Sequence, residues 1–185
     1  MTITLPWFPP APAAGPAGIL ALPPDDWALE PKIDGIRVIW LDGQPFTRQG
    51  TLLTASKGSV RLRKLLADIP YPLDGEWVSD EGAFYVFDLP NSQLDYDSRR
   101  VALNLALGVS NDALGAMSVD TYFAGVRLVA SFTGGQFPQV YAALRGHVEG
   151  VVLKRRRAPY AKQMCPGVEC RDWLKRRFVW DKAIV

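Results

Sequence analysis

The residues best suited to covalent chemistry lie around Lys32, in the octet Glu-Pro-Lys-Ile-Asp-Gly-Ile-Arg at residues 30–37. A lysine amine is nucleophilic once it is uncharged, and neighbouring cations or a bound metal ion favour the uncharged form. Arg37, Lys175 and Arg177 would supply such cations if they converge on Lys32. We therefore take Lys32 as the candidate nucleophile; the alternative is an exposed lysine in an Asp-Gly turn.

Two glutamates, Glu76 and Glu149, are the candidate metal ligands. Carboxylate oxygens suit Mg²⁺ or Mn²⁺, which would offset charge on a phosphate. Seen alone, each is also compatible with an ordinary surface carboxylate. Lys175 and Arg177 are two residues apart, so they point to the same side of a strand. By the same parity Lys154 points away from Glu149, which argues against a shared catalytic role.

Five motifs, taken in order, resemble the covalent nucleotidyltransferase superfamily of ATP-dependent DNA ligases, RNA ligases and mRNA-capping guanylyltransferases. They are Lys-Ile-Asp-Gly-Ile-Arg at 32–37, Leu-Asp-Gly-Glu at 73–76, Tyr-Val-Phe-Asp at 85–88, Glu-Gly-Val-Val-Leu-Lys at 149–154 and Trp-Leu-Lys-Arg-Arg at 173–177. The resemblance spans about 27–178 and is greatest to the adenylation domains of bacterial-type DNA ligases. It implies an α+β fold, ATP-grasp-like, with mixed and largely antiparallel sheets flanked by helices.

The resemblance also implies roles for individual residues. Lys32 would attack the α-phosphate of ATP, expel pyrophosphate and hold AMP through a P–N bond, while Lys175 and Arg177 grip that phosphate. Glu149 would bind the metal ion, and Glu76 the metal ion or the ribose. The implied nucleotide-binding set is Glu30, Ile33, Arg37, Arg48, Glu76, Phe87, Glu149, Lys175 and Arg177.

Three of these residues bear on the choice of nucleotide. Similar ligases place a carboxylate at the position of Glu30 against the exocyclic amine of adenine, an aromatic ring at Phe87 on the purine, and an Arg-x-Gly element at Arg48 near the nucleotide and the nicked strand. An ionised carboxylate only accepts hydrogen bonds, so it suits the N6 amine of adenine and repels O6 of guanine. We therefore expect ATP in preference to GTP, which argues against a capping enzyme.

Basic residues are concentrated in one part of the chain. Residues 145–182 contain eleven Lys/Arg and four Asp/Glu, although the net charge of the whole chain is only +2. Such a distribution suits a basic face that binds nucleic acid through its phosphates, although a solvated strand end is the alternative for residues 154–157. The predicted nucleic-acid contacts are Arg48, Lys57, Arg61, Arg63, Lys64, Arg155, Arg156 and Arg157.

We therefore expect an ATP-dependent ligase that seals 5′-phosphate/3′-hydroxyl nicks in duplex DNA through a lysyl-AMP intermediate on Lys32. An RNA ligase of the same mechanism stays open, as does a nucleotide- or nucleic-acid-binding module without efficient self-adenylylation. Ligases normally continue into an OB-fold domain, whereas this chain ends at Val185, soon after the last motif. We expect ATP loading to be slower than sealing of a pre-adenylylated nick, and a separate OB-fold or repair protein is a candidate partner.

The chain of 185 residues is long enough for one domain with a sizeable core. We expect a Pro/Ala-rich arm without a helix at 1–24 and a single nucleotidyltransferase domain at 25–185. Periodicity predicts strands at 27–30, 36–41, 45–48, 73–78, 84–89, 148–155 and 173–178, and helices at 59–69, 98–107 and 137–145.

Two further features indicate the kind of protein. No apolar run approaches the ~20 residues of a membrane-spanning helix, and the N-terminus lacks the basic start of a signal peptide, so we expect a cytoplasmic protein. Cys165, Cys170 and His147 are too few for a zinc site, which usually takes about four ligands, so we expect free thiols.

Overall fold

The computed structural model describes residues 10–12, 16–54, 57–90, 92–109, 117–121, 123–160 and 170–178. Within them, the strands are β1 (Pro10–Pro12), β2 (Trp27–Lys32), β3 (Ile36–Leu41), β4 (Gln44–Thr47), β5 (Leu73–Val78), β6 (Ala83–Asp88), β7 (Ser118–Asp120), β8 (Val126–Val129), β9 (Phe132–Thr133), β10 (Gly150–Arg155) and β11 (Cys170–Arg177). The α-helices are α1 (Pro16–Leu20), α2 (Lys57–Leu66), α3 (Tyr96–Leu107) and α4 (Phe137–Leu144), and a short 3-10 helix, Gly134–Gln136, precedes α4.

The described strands form two sheets. A five-stranded sheet has the order β1-β11-β10-β2-β9, and a six-stranded sheet has the order β4-β3-β5-β6-β8-β7. The β1–β11 and β6–β8 pairs are parallel, and the other pairs are antiparallel. The predicted α+β class is therefore confirmed, and all seven predicted strands and three predicted helices are present.

The six-stranded sheet separates a packed face from a polar face. On the packed face, the helices α2 and α3 contribute Leu62, Leu66, Leu103 and Leu107 to a core with side chains of four strands. Those strand residues include Val38, Trp40, Trp77, Phe84, Val86 and Leu128. Because side chains alternate along a strand, Arg37, Glu76 and Phe87 lie on the opposite face.

The five-stranded sheet is divided in the same way. Leu29 and Leu153 pack with α4 and with Ile19 of α1 in a second core. Their neighbours along the strands, Glu30 and Lys154, therefore lie on the other face. The polar faces of the two sheets enclose a cleft.

The predicted hairpin at Asp42-Gly43 joins β3 to β4, whose pairing begins at Leu41 and Gln44. Both loop residues have positive φ, 50° at Asp42 and 71° at Gly43. Two residues of this kind form the turn that matches the twist of a hairpin. The turn brings the chain back towards Arg48.

The N-terminal region differs from the prediction. Residues 16–20 form α1, and Ile19 is fully buried. The prediction of an arm without a helix is therefore wrong for this segment, since a proline in the first turn is compatible with a helix. No helix within the described residues is long and apolar enough to span a membrane.

Candidate active site

A cavity of about 380 Å³ lies between the two sheets. It is lined by Glu30, Pro31, Lys32, Ile33, Arg37, Arg48, Glu76, Phe87, Val152, Lys154, Trp173, Lys175 and Arg177. The lining includes the candidate nucleophile and every predicted nucleotide-binding residue except Glu149. Glu149 lies at the edge, in contact with Lys32.

The strand register explains how distant residues reach this cavity. Gly150 of β10 pairs with Lys32 of β2 on one side and with Arg177 of β11 on the other. Cross-strand partners project to the same face. Further along the same face of β10, Val152 pairs with Glu30 and Lys175. Lys154 then pairs with Ala28 and Trp173.

Glu149 contacts both the candidate nucleophile, Lys32, and one of the predicted phosphate-binding residues, Arg177. Lys32 Nζ donates to Glu149 Oε2, and Arg177 Nε forms an ion pair with Oε1 of the same carboxylate. The Phe178 amide also donates to the Glu149 carbonyl at 2.9 Å, which fixes the backbone just before β10. The structure thus brings Lys32, Glu149 and Arg177 together as the sequence predicts.

Glu76 enters the cavity from β5 of the other sheet. Burial raises its pKa to about 7, although the positive charges of Lys32 and Arg37 partly oppose this rise. The carboxyl group is therefore near its titration midpoint at neutral pH. A change in local charge will alter its protonation.

Arg37 makes more contacts within the protein than we expected from sequence. It forms a two-pronged ion pair with Asp74, with distances of 3.0 and 2.6 Å. Its guanidinium carbon lies 5.5 Å from the centroid of the Phe87 ring and 5.6 Å from that of the Trp173 ring. Burial lowers the pKa of Arg37, but Asp74, Tyr160 and Glu76 together raise it by more, so the pKa lies above its ordinary value.

This ion pair changes the interpretation of Arg37. Its charge is offset by Asp74, which also accepts a hydrogen bond from Tyr160 at 2.9 Å. Arg37 therefore presents less net positive charge to the cavity than the sequence predicts. Its contacts with Phe87 of one sheet and Trp173 of the other link the two sides of the cleft.

Lys154 is the residue whose importance sequence reasoning missed. Its side chain is 1% exposed, and its ammonium lies 2.8 Å from Glu30 Oε2 and 3.2 Å from Asp88 Oδ2. It also donates to the Phe87 carbonyl at 2.7 Å. The parity argument correctly separates Lys154 from Glu149, but the cavity face of β10 is the one that carries Lys154.

A second buried ion pair supports this cluster. Arg99 of α3 binds Asp88 at 2.5 Å and donates to the carbonyls of Leu94 and Ala158. Burial raises the pKa of Asp88, but Lys154, Arg99 and the Leu89 amide together lower it by more, so the pKa lies below its ordinary value. The network holds the end of β6, and with it Phe87, against α3.

Gly35 follows Lys32 in the loop between β2 and β3. A Cβ at this position would lie 2.7 Å from the Trp77 carbonyl oxygen and 3.0 Å from Glu76 Cγ. The glycine is therefore required by close contact with β5.

The predicted nucleic-acid contacts fall into separate groups. Arg48 lines the cavity, in a turn that ends at Gly50 with φ 77°. Arg63, on α2, donates to the Leu53 carbonyl at 2.7 Å. The helix α2 covers the face of the six-stranded sheet that is turned away from the cleft. Arg61 and Lys64 are exposed on the same helix, and the Lys57 side chain lies outside the described residues. The structure does not bring Arg61, Arg63 or Lys64 to the cavity.

The three arginines at 155–157 each have an acidic partner. Arg155 pairs with Asp172 at 3.2 Å. Arg156 pairs with Asp97 at 2.8 Å and Arg157 with Asp95 at 3.5 Å. Much of their charge is therefore balanced within the protein. Arg157 is the most exposed, at 77% of its side chain.

Cys170 and His147 do not add to the candidate metal ligands, Glu76 and Glu149. Cys170 is a free, buried thiol, and Cys165 lies outside the described residues. Within the described part of the chain, no group of three or more His, Cys, Asp or Glu residues could hold a metal ion. Mg²⁺ commonly uses only one or two carboxylates together with substrate phosphates, so Glu76 and Glu149 fit that ion.

The arrangement of the two sheets around this cavity defines a class. The chain has the fold of the nucleotidyltransferase, or adenylation, domain of ATP-dependent DNA ligases, as shown by solved structures. No family model and no curated protein sequence matches the chain. The likeness is therefore one of fold.

Three solved structures illustrate it. A Lig E DNA ligase, from a study of DNA binding with a minimal scaffold, has a TM-score of 0.64 at 20% identity, over 95% of this chain and 70% of that one. The ligase domain of Mycobacterium tuberculosis LigD has a TM-score of 0.60 at 24% identity, over 92% and 59%. The bacteriophage T7 DNA ligase in complex with ATP has a TM-score of 0.58 at 16% identity, over 93% and 68%.

Proposed function

We propose that the protein is an ATP-dependent polynucleotide ligase that uses Lys32 as its nucleophile and duplex DNA with a nick as its acceptor. The observation that carries this proposal is the convergence of Lys32, Glu149 and Arg177 at the edge of one cavity that Glu76 and Lys175 also line. A nucleophilic amine, carboxylates and phosphate-binding cations are the groups that nucleotidyl transfer needs. The solved T7 ligase of similar fold contains ATP, which supports the choice of nucleotide.

The far end of the cavity suits the adenine base. Glu30 lines the cavity and presents a carboxylate acceptor there, whereas the three ammonium protons of Lys154 are directed to Glu30, Asp88 and the Phe87 carbonyl. Adenine carries a hydrogen-bond donor at N6, whereas guanine carries an acceptor at O6, so the carboxylate favours adenine. Phe87 of one sheet and Val152 of the other line the cavity and would enclose the faces of the purine. The proposed substrate is therefore ATP.

The first step would join the nucleotide to the protein. The Lys32 amine attacks the α-phosphorus, a P–N bond forms, and the bond between the α-phosphorus and the bridging oxygen of pyrophosphate breaks. The proton lost by the Lys32 ammonium has an acceptor within contact distance in Glu149. Lys175 and Arg177 would hold the α-phosphate and balance its charge.

Glu149 and Glu76 are the residues that would hold Mg²⁺ or Mn²⁺. When bound, the metal ion supplies a positive charge that stabilises negative charge on the phosphate oxygens. The two carboxylates reach the site from different sheets, Glu76 from β5 and Glu149 from the residue before β10. Since Glu76 titrates near neutral pH, its contribution depends on pH.

Two further transfers complete the reaction. A 5′-phosphate oxygen of the nick attacks the lysyl-AMP phosphorus, which forms a pyrophosphate linkage and returns the Lys32 amine. The 3′-hydroxyl oxygen then attacks that 5′-phosphorus, forms the phosphodiester and releases AMP. Arg48 is at the mouth of the cavity and is a candidate contact to the acceptor strand.

Incubation with α-labelled ATP and Mg²⁺ tests the first step. We expect protein-bound label that survives denaturation, and we expect Lys32→Ala and Lys32→Arg to abolish it. Lys32→Arg is informative because a guanidinium keeps the positive charge but stays protonated. Lys64→Ala, an exposed lysine of α2, is the matched control and should label like wild type. Equal labelling of Lys32→Ala and wild type would refute the assignment.

The acceptor is tested separately, because an RNA ligase would load ATP equally well. Pre-adenylylated and unadenylylated nicks in DNA, RNA and hybrid duplexes are compared, together with single-stranded RNA. We expect nicked DNA to be sealed fastest and the pre-adenylylated nick to be sealed faster than ATP is loaded. Preference for RNA ends would replace DNA with RNA as acceptor, and binding of nicked DNA without any labelling would indicate a binding module.

A further inference from the structure

We propose that Tyr96 is a positioning residue for nucleotide specificity, because it fixes the carboxylate of Glu30 that faces the base. This inference rests on the proposed function, since it assigns Glu30 to adenine. Tyr96 begins α3 and is 1% exposed. It lies behind Glu30 and outside the cavity lining.

The contacts of Glu30 hold both of its oxygens. Tyr96 Oη donates to Oε1 at 2.6 Å, while Lys154 Nζ lies 2.8 Å from Oε2. A carboxylate oxygen has two lone pairs, so each oxygen keeps one for a substrate amine. With both oxygens held, the carboxylate cannot rotate without breaking a buried charge-assisted hydrogen bond.

Ser131 completes a short relay. Its Oγ lies 2.6 Å from Tyr96 Oη. A phenol has one proton, and the carboxylate is the stronger acceptor, so Tyr96 donates to Glu30 and accepts from the Ser131 hydroxyl. The nearby Arg100 Nη1, 3.8 Å from Glu30 Oε1, adds positive charge but no hydrogen bond. Tyr96 therefore supplies the directional contact on this side.

Specificity should follow this geometry. The N6 amine of adenine gains from a fixed acceptor, whereas a purine without that amine gains nothing from it. Removal of the Tyr96 hydroxyl should thus lower kcat/KM for self-labelling with ATP and leave kcat/KM for the triphosphate of the amine-free purine nearly unchanged. A purely structural role would instead lower both rates together.

The test compares initial rates of self-labelling with ATP and with purine riboside triphosphate, which lacks the 6-amino group. Wild type should prefer ATP, and Tyr96→Phe should reduce the ratio of the two kcat/KM values by roughly tenfold, as expected for one hydrogen bond to a charged group. The loss should appear chiefly as a higher KM for ATP. Tyr141→Phe, a buried tyrosine of α4 in the other core, is the matched control and should keep the wild-type ratio.

The outcomes separate the two proposals. If wild type takes no label from ATP, the proposed function and this inference both fail. If wild type is labelled and Tyr96→Phe keeps the wild-type ratio, only the role of Tyr96 is overturned. Should Tyr96→Phe fail to fold, Ser131→Ala decides, since it retains the phenol and removes its hydroxyl partner. We expect that variant to reduce the ratio by about threefold, and an unchanged ratio would overturn the relay.

Discussion

Protonation of Glu76 should make the stability of the protein depend on pH in a way that one substitution can isolate. Burial raises the pKa of this carboxyl from 4.5 to about 7. Between these two values the folded protein keeps a proton that the unfolded chain has released. The stabilising contribution of the protonated carboxyl is therefore complete below pH about 4.5 and is lost as the pH rises through about 7.

The magnitude follows from the size of the shift. Each pKa unit corresponds to about 1.36 kcal/mol. For a folded pKa of about 7 and an unfolded value of 4.5, the contribution of Glu76 falls by about 2.5 kcal/mol between pH 5 and pH 8. Most of this change should occur below pH 7.

Urea unfolding of wild type and Glu76→Gln at several pH values between 5 and 8 measures this effect. Glutamine has a similar shape and does not titrate, so the difference in unfolding free energy between the two proteins removes most other pH effects. Wild type should lose about 2.5 kcal/mol relative to Glu76→Gln across this range. Asp68→Asn, an exposed carboxyl after α2, is the matched control. A difference between wild type and Glu76→Gln that stays constant with pH would refute the reasoning.

Two further predictions concern the packing around the cleft. Lys154→Met should lower the unfolding free energy by about 3 kcal/mol, because it leaves buried acidic partners without their cation; denaturant unfolding measures this, and Lys64→Met is the control. Gly75→Ala should lower it by about 1–3 kcal/mol, since a Cβ would lie 2.6 Å from Phe84 Cζ and 2.7 Å from the Tyr85 carbonyl oxygen. Gly135→Ala, with open space around it, should show no such loss, and equal stability of both alanine variants would contradict the steric argument.

Local patterns were sufficient for most of the fold. The largely apolar run from Ile36 to Leu41 marks β3, and the Asp42-Gly43 pair after it marks the turn between β3 and β4. The short strands β7 and β9, of three and two residues, carry too little periodicity to be recognised. Their conformation is set by pairing with neighbouring strands, which a local pattern does not encode.

Contacts within the candidate site were predictable where the ordered sequence motifs imply a shared role for both residues. Lys32 and Glu149 are in contact as the ordered motifs imply. Arg37 was harder to interpret, because its ion pair is with Asp74, 37 residues away on the adjacent strand. The sequence showed both charges but not their pairing, which depends on the register of β3 with β5.

Lys154 shows why the remainder of the site needed the structure. Strand parity correctly predicts that its side chain points away from Glu149. The register of β2 with β10 also places it diagonally across from Glu30, since Lys154 pairs with Ala28 and Val152 pairs with Glu30. The charges of Lys154 and Glu30, at 1% and 2% exposure, are tolerated because they are paired and hydrogen-bonded. Removal of either partner would leave the other as an uncompensated buried charge. Of this pair, Glu30 presents a hydrogen-bond acceptor to the cavity. Under the proposed function, stability of the cleft and recognition of the base therefore both depend on one ion pair, and a substitution at either position will change both.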